Sequence, residues 1–522
     1  MKSLIRAAIL WVVPTILVPV TVGQEARTQS TLDFPMSLAV ARDGKHVLVL
    51  NAGRNPSVGV MALTGDAARP LRETSRVPVE DAWLGLSSSP SGRMVYAGGG
   101  SRGSVYEFSF TPDGELKRTR EMKVSGFIGD VVVSPDGRLI YAADLYKNLI
   151  LVINPQSGRV IDQFKTGRRP YRILFHPDGK SYFVSSWADA SVYQHSVTNG
   201  EEIARIRLGP HTTDMVLSDY KPTVEEGQSP PVWKYRLYVA AENTNSVFAV
   251  GIGENKTMQL VDTIHIAPEA LTPLGMTPSA LALSPDQKHL YVACSDADVI
   301  ASINVSDVRG VLEEYIPTGA YPTAVKIVQN QVVAVNGLGP RRTGQGIDQA
   351  TKAEPPAEKE HVVYLVPTGS PEDTMRAVAG IAPAYTVKLA PAYASGRKKE
   401  NDFDGREPAN SPPAGFLWNN ARTAGIATKL YGISELAQLS TNQDWVPAFL
   451  SDMKQFETSG GLPRLILMPQ SDDRTVAVIL DAIQKSRYGT STVVLRGDLP
   501  TAERMLGLRP LTRTDAGPAP LR

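Results

Sequence analysis

Short apolar runs separated by tight polar turns dominate the first two thirds of the chain. "VVVSPDGRLIYAAD" (Val131–Asp144) shows the unit: a Val run, a Pro-Asp-Gly turn, then a second run ending in Tyr and small residues. "LALSPDQKHLYVAC" (Leu281–Cys294) repeats it, and further copies begin at Leu38, Gly85 and Ile173. One copy is split, with Met215–Ser218 and Arg236–Ala241 flanking a polar insertion. Another, Ala324–Val335, keeps both runs and shortens the turn. The seven copies start at 38, 85, 131, 173, 215, 281 and 324, mostly 42 to 47 residues apart, a period that marks a repeat architecture. Pro presets φ at the second turn position and Gly accepts the left-handed conformation that closes a hairpin, so each copy reads as two strands. A second pair follows, as in "NLILVINPQSGRVIDQFKTG" around Pro-Gln-Ser-Gly. Four strands per period and seven periods predict a mainly β fold, a seven-bladed β-propeller. A row of β-sandwich domains would need about 100 residues each, and units this small must stack to bury a core. Thr28–Phe34 precedes the first copy and is expected to form the outermost strand of the last blade, so that no sheet edge stays open.

After Pro367 the pattern changes. "SPEDTMRAVAGI" predicts a helix capped by Ser370, and the polar, Pro-rich stretch Ser395–Pro413 reads as a linker or surface loop. "DWVPAFLSDMKQFETSG" predicts an amphipathic helix, "LPRLILMPQ" a buried strand, "RTVAVILDAIQKSRYG" a helix and "TSTVVLRGD" a strand. This alternation points to a small α/β unit with parallel strands. The resulting division is a signal peptide at 1–23, a propeller at 28–367, a helix and linker at 368–410, and an α/β domain at 411–522.

"LYVAAENTNSVFAV" (Leu237–Val250) and "LYVACSDADVIASI" (Leu290–Ile303) resemble the YVTN-type β-propeller repeat. The resemblance spans about Thr28–Pro367 and implies the fold, not an activity. "SPPAGFLWNNARTAGIATKLYG", "DWVPAFLSDMKQFETSGGLPRLILMP", "VILDAIQKSRYGTSTVVL" and "LPTAERMLGLRPLTRTDAGPAP" are similar to parts of a phosphoesterase domain of the alkaline-phosphatase superfamily. That family implies two divalent metals held by Asp and His beside a Thr or Ser nucleophile. A Glu-Asn-Arg-Thr-type nucleophile segment is not found. Where an Asn-Asp-His-Thr ligand motif is expected the chain reads "DDRT" (Asp472–Thr475), with Arg474 in place of His, and a guanidinium stays protonated and does not ligate metal. No histidine follows His361. The α/β domain therefore reads as a truncated remnant without catalytic residues, metal or cofactor, with Asp473 a relic of a lost site or a helix cap.

Composition narrows the rest. Against 54 Lys and Arg stand 53 Asp and Glu in 522 residues, a balance that argues against a nucleic-acid partner. Lys2, Arg6, the apolar run Ala7–Val20 and the small residues after it read as an export signal, hence a periplasmic or secreted protein. Pro14 and Pro19 and the short run argue against a stable membrane span. Cys294 is the only cysteine, so no internal disulfide can form.

Strand order places the Pro-Asp-Gly turns on the bottom face and the longer loops on top. The loops leading into two inner strands carry Arg168, Arg169 and Tyr171, and His211 and Asp214; Trp187 and Glu242 lie in other top loops. Such a funnel mouth is a natural ligand site. The polar segment Gly339–Glu360 is expected on the same face, as a lid or an unstructured insertion. The seven histidines are scattered, and His176 reads as a turn cap rather than a metal ligand. Together these features predict an exported, monomeric binding or scaffold protein with an inactive phosphoesterase-like remnant, taking an unidentified small polar ligand or an envelope protein. The alternative is a hydrolase, either a metal-dependent phosphoesterase or a propeller lactonase.

Overall fold

The computed structural model describes residues 20–22, 33–64, 71–222, 232–242, 244–268, 274–339, 359–397, 407–434, 437, 439 and 444–511. Six four-stranded antiparallel sheets follow one another along the chain in a propeller-like arrangement, each built from four consecutive strands. Their innermost strands are Pro35–Val40, Leu86–Ser88, Ile128–Val133, Pro170–Phe175, Thr212–Ser218 and Pro278–Leu283. Each packs beside the innermost strands of the sheets before and after it. Pro322–Val328 fills the gap between the sixth and the first. It belongs to a three-stranded sheet in which Val20–Val22 runs parallel to Val333–Val335 of Gln331–Asn336.

One expectation is corrected here and another is left open. The strand beside Gln331–Asn336 is Val20–Val22, within the segment 1–23 read as a signal peptide. Residues 23–32, which hold most of the expected closing segment Thr28–Phe34, lie outside the described residues. The correction is that the propeller ends before 367. His361–Val366 joins the C-terminal sheet, where it pairs with Leu465–Pro469 on one side and Thr492–Arg496 on the other. The reason lies in its side chains. Val362 through Val366 are apolar at every position and all are buried, which demands cover on both faces. An outer propeller strand such as Arg159–Lys165 is mostly exposed and could not supply that. Residues 340–358, most of the expected lid or insertion, lie outside the described residues.

The C-terminal sheet is wholly parallel, in the order Thr428–Leu430, Leu465–Pro469, His361–Val366, Thr492–Arg496. Helices α1 (Pro371–Ala379), α2 (Ala384–Ala394), α3 (Leu417–Thr423) and α6 (Leu499–Leu506) pack with Val362, Tyr364 and Val366. Helices α4 (Val446–Ser459) and α5 (Asp473–Lys485) pack on the other face with Val363 and Leu365. Ser370 caps α1 in a reciprocal pair with Asp373. The cap of α5 is Asp472, whose carboxylate accepts from the amides of Arg474 and Thr475 at 3.0 Å; Asp473 lies in the exposed first turn. Among the described residues, no three His, Cys, Asp or Glu side chains stand together as a metal site would need. Also among them, no helix is long and apolar enough to cross a membrane.

One apolar core joins the two parts. Trp83, Leu84, Phe127, Leu145, Tyr171 and Trp187 of the propeller mouth belong to the same buried cluster as α1, α2, α3, α6 and one face of the parallel sheet.

Candidate active site in the propeller channel

The residues leading into the inner strands are strained in the same way. Phe34, Arg169, His211, Thr277 and Tyr321 each stand one residue before an inner strand with φ between 49° and 60°. A register shift follows within the first residues of each of those strands. Left-handed non-glycine residues and bulges both cost free energy and re-aim side chains, and here they turn the lead-in residues toward the mouth.

That mouth is covered by the chain's own α2. Lys388 reaches into it, is fully buried, and pairs with the buried carboxylate of Glu242 and the Tyr171 hydroxyl. Its ammonium lies 4.9 Å from the centre of the Tyr171 ring and 5.9 Å from that of Trp187. Tyr385 of α2 packs 5.0 Å from Trp187, and Trp83, Tyr171 and Trp187 pack edge-on or tilted against one another. Around this centre charged pairs complete the seam. Glu407 binds Arg169 at 2.9 Å and Arg168 at 3.4 Å. Arg376 of α1 binds Asp296 at 3.3 Å, and Arg397 binds Asp81 and accepts a hydrogen bond at its carbonyl from Ser101 at 2.7 Å.

The structure thus brings five of the six expected site residues to the mouth, with Arg168 left exposed and the other four buried or half-buried. Arg168 and Arg169 face Glu407, Tyr171 faces Lys388, Trp187 faces Tyr385, and His211 is buried against the backbone of Ala409 and Ser411. Burial pushes the His211 imidazole down to about 4. Asp214 sits elsewhere, as a staple between sheets inside the channel. Its Oδ1 accepts from Arg172 Nε at 2.9 Å and its Oδ2 from the Leu281 amide at 2.9 Å. Asp130 does the same one sheet away, taking Arg172 Nη1 at 3.1 Å and the Ile173 amide at 2.8 Å. Burial raises Asp130 above the usual carboxylate range, and it would raise Asp214 too, but Arg172 and Lys326 pull Asp214 below that range.

The sequence pattern does not single out Arg172 and gives Glu242 too little weight. Glu242 appeared there as one top-loop residue among several; its burial is invisible until α2 is in place. Burial pushes its carboxyl up to about 7, against the pull of Lys388. Its Oε2 has no hydrogen-bond partner among the described residues. A carboxylate near neutrality with a free oxygen can take a proton from water, and an arginine in the channel can stabilise negative charge on oxygen. His176, read as a turn cap, accepts from the Asp178 amide at 3.2 Å through Nδ1.

Comparison with known proteins bears on this channel. Residues 228–337 match a family model described as a lactonase with a seven-bladed β-propeller. No curated protein matches the chain. Among solved structures, hydrazine synthase of Kuenenia stuttgartiensis is 19% identical, with 62% of this chain and 99% of that chain covered and a TM-score of 0.48. The Pseudomonas aeruginosa periplasmic gluconolactonase PpgL is 19% identical over 55% of this chain and 86% of that one, at a TM-score of 0.44. A putative 6-phosphogluconolactonase of Bacteroides uniformis is 22% identical over 57% and 89%, at 0.47. The matching model describes a lactonase propeller, not a YVTN repeat or a phosphoesterase. It corrects the expectation of an inactive binding or scaffold protein in favour of the propeller lactonase kept as the alternative. The matched segment contains Glu242.

Proposed function

We propose that the chain is a hydrolase that opens lactones inside the channel of a seven-bladed propeller, exported to the periplasm or beyond. The observation that carries the reading is that the segment matching the lactonase propeller model includes Glu242, a buried carboxyl held near neutral pH. Water adds to the lactone carbonyl carbon and gives its proton to Glu242. Arg172, whose Nη2 makes no hydrogen bond among the described residues, faces the oxygen that becomes negative. The ring acyl–oxygen bond then breaks, the ring oxygen takes the proton back, and a hydroxy acid results.

The test is proton release from δ-gluconolactone and γ-butyrolactone, followed in a weakly buffered solution with the full chain. Turnover above the spontaneous rate is expected. Glu242→Gln should lower kcat/KM by roughly 10²–10⁴-fold, mostly in kcat. No turnover by the unaltered chain, or undiminished turnover by the variant, would set the reading aside.

A further inference from the structure

Below the sealed mouth the channel is lined by the middle of the inner strands. Asp130, Arg172 and Asp214 form a charged row across three consecutive sheets, and every carboxylate oxygen of that row is engaged. Two oxygens take Arg172 and two take backbone amides of the next sheet. Lys326 comes from Pro322–Val328, between the first and sixth sheets. It is half-buried on an inner strand of the same ring, and Asp214, Arg172 and Asp130 act on it electrostatically. Yet among the described residues Lys326 has no hydrogen bond and no ion pair within 4.0 Å. Each aspartate oxygen already takes one donor from Arg172 or from a backbone amide.

Among the described residues, the channel is buried at one end and partly exposed toward the other. At the mouth, Tyr171, Trp187, Glu242 and Lys388 are buried. Toward the Pro-Asp-Gly turns, Ala39, Ser87, Val132, Leu174 and Val216 are partly exposed, and so is Arg172, with 16% of its side chain accessible. These partly exposed positions lie toward the face away from the α/β domain. A partnerless ammonium and the free edge of a guanidinium, set among short and apolar side chains, suit an anion with a small apolar body. Phosphate, with two charges and no apolar surface, suits it poorly, since the aspartates oppose a second negative charge.

We propose that this half of the channel binds a small monocarboxylate, which enters from the face opposite the α/β domain and is held by Lys326 and the Nη2 edge of Arg172. Hydroxy acids, the products of lactone opening, belong to this class, but the inference does not rest on any turnover.

The experiment is calorimetric titration of the full chain with sodium propionate, with sodium chloride and sodium phosphate at equal ionic strength as controls. Saturable binding is expected, with a dissociation constant on the order of millimolar for a five-atom anion. Lys326→Met should weaken it at least tenfold, and Lys326→Arg should retain most of it. Because Lys326 has no partner, the Met variant should keep the melting temperature of the parent. Equal binding by Lys326→Met, or a response matched by chloride or phosphate, overturns the proposal. If Lys326→Met fails to fold, Lys326→Gln is titrated instead; failure of both to fold would make Lys326 a structural residue and overturn the proposal as well. Propionate binding without lactone turnover would leave this inference standing while removing the hydrolase reading.

Discussion

Lys388 is a charged residue on a helix whose other core-facing positions are Ala, Tyr, Thr, Val and Leu. Its ammonium is stable there because Glu242 and Tyr171 meet it in the mouth. Removing one member of a buried pair leaves the other charge uncompensated. Lys388→Met should therefore cost about 3–5 kcal/mol, and adding Glu242→Gln should recover most of it. Chemical denaturation of the two variants checks this; equal losses in the single and double variants would refute the pairing. His211 sets a pH dependence at the same seam. Burial depresses its pKa from the usual imidazole value of about 6.5 to about 4, so the unfolded chain binds the proton more readily. The stability this confers is present above pH 6.5 and is lost as the pH falls toward 4, by at most about 3 kcal/mol. His211→Asn should flatten that part of the stability–pH curve, measured by urea midpoints between pH 4 and 7.

At the scale of elements, α2 is decisive. It is buried almost all round, as a helix between two packed bodies must be. Leu389 is fully buried in the core shared by propeller and sheet. Leu389→Ala should cost about 2–5 kcal/mol, and the loss should appear in both parts of the molecule. Hydrogen exchange at Ile128–Val133 and at Val362–Val366 measures this. Faster exchange at only one of them would mean that α2 belongs to that part alone. His361–Val366 makes the complementary point. Its continuous apolar run is readable as a strand, but whether it ends a propeller or centres a parallel sheet depends on what covers its two faces.

At the scale of the whole molecule, the apolar seam predicts joint unfolding. Interfaces within a chain that are large and apolar suppress relative domain motion. The full chain should melt in one calorimetric transition; two separated transitions would show that the shared core does not couple its halves. The repeat was legible because each copy spells its own turn: Pro and Gly at fixed offsets between Val-rich runs act locally, within about 15 residues. Ser370 as a helix cap and the strand–helix alternation after 411 were legible for the same reason. The candidate site was legible only in part. Arg168, Arg169, Tyr171, Trp187 and His211 could be placed on one face from strand order. That Glu407, Lys388 and Tyr385 would cover them could not, since these partners lie about 200 to 240 residues away in sequence.

The amino-acid order alone settled the period, the hairpins and the parallel α/β alternation, because those follow from neighbours along the chain. Only the packed molecule decided which end of the channel is buried, which carboxyl is held near neutrality and which lysine lacks a partner. Those properties depend on burial and on opposite charge brought across the ring, and neither is a property of any short stretch of sequence.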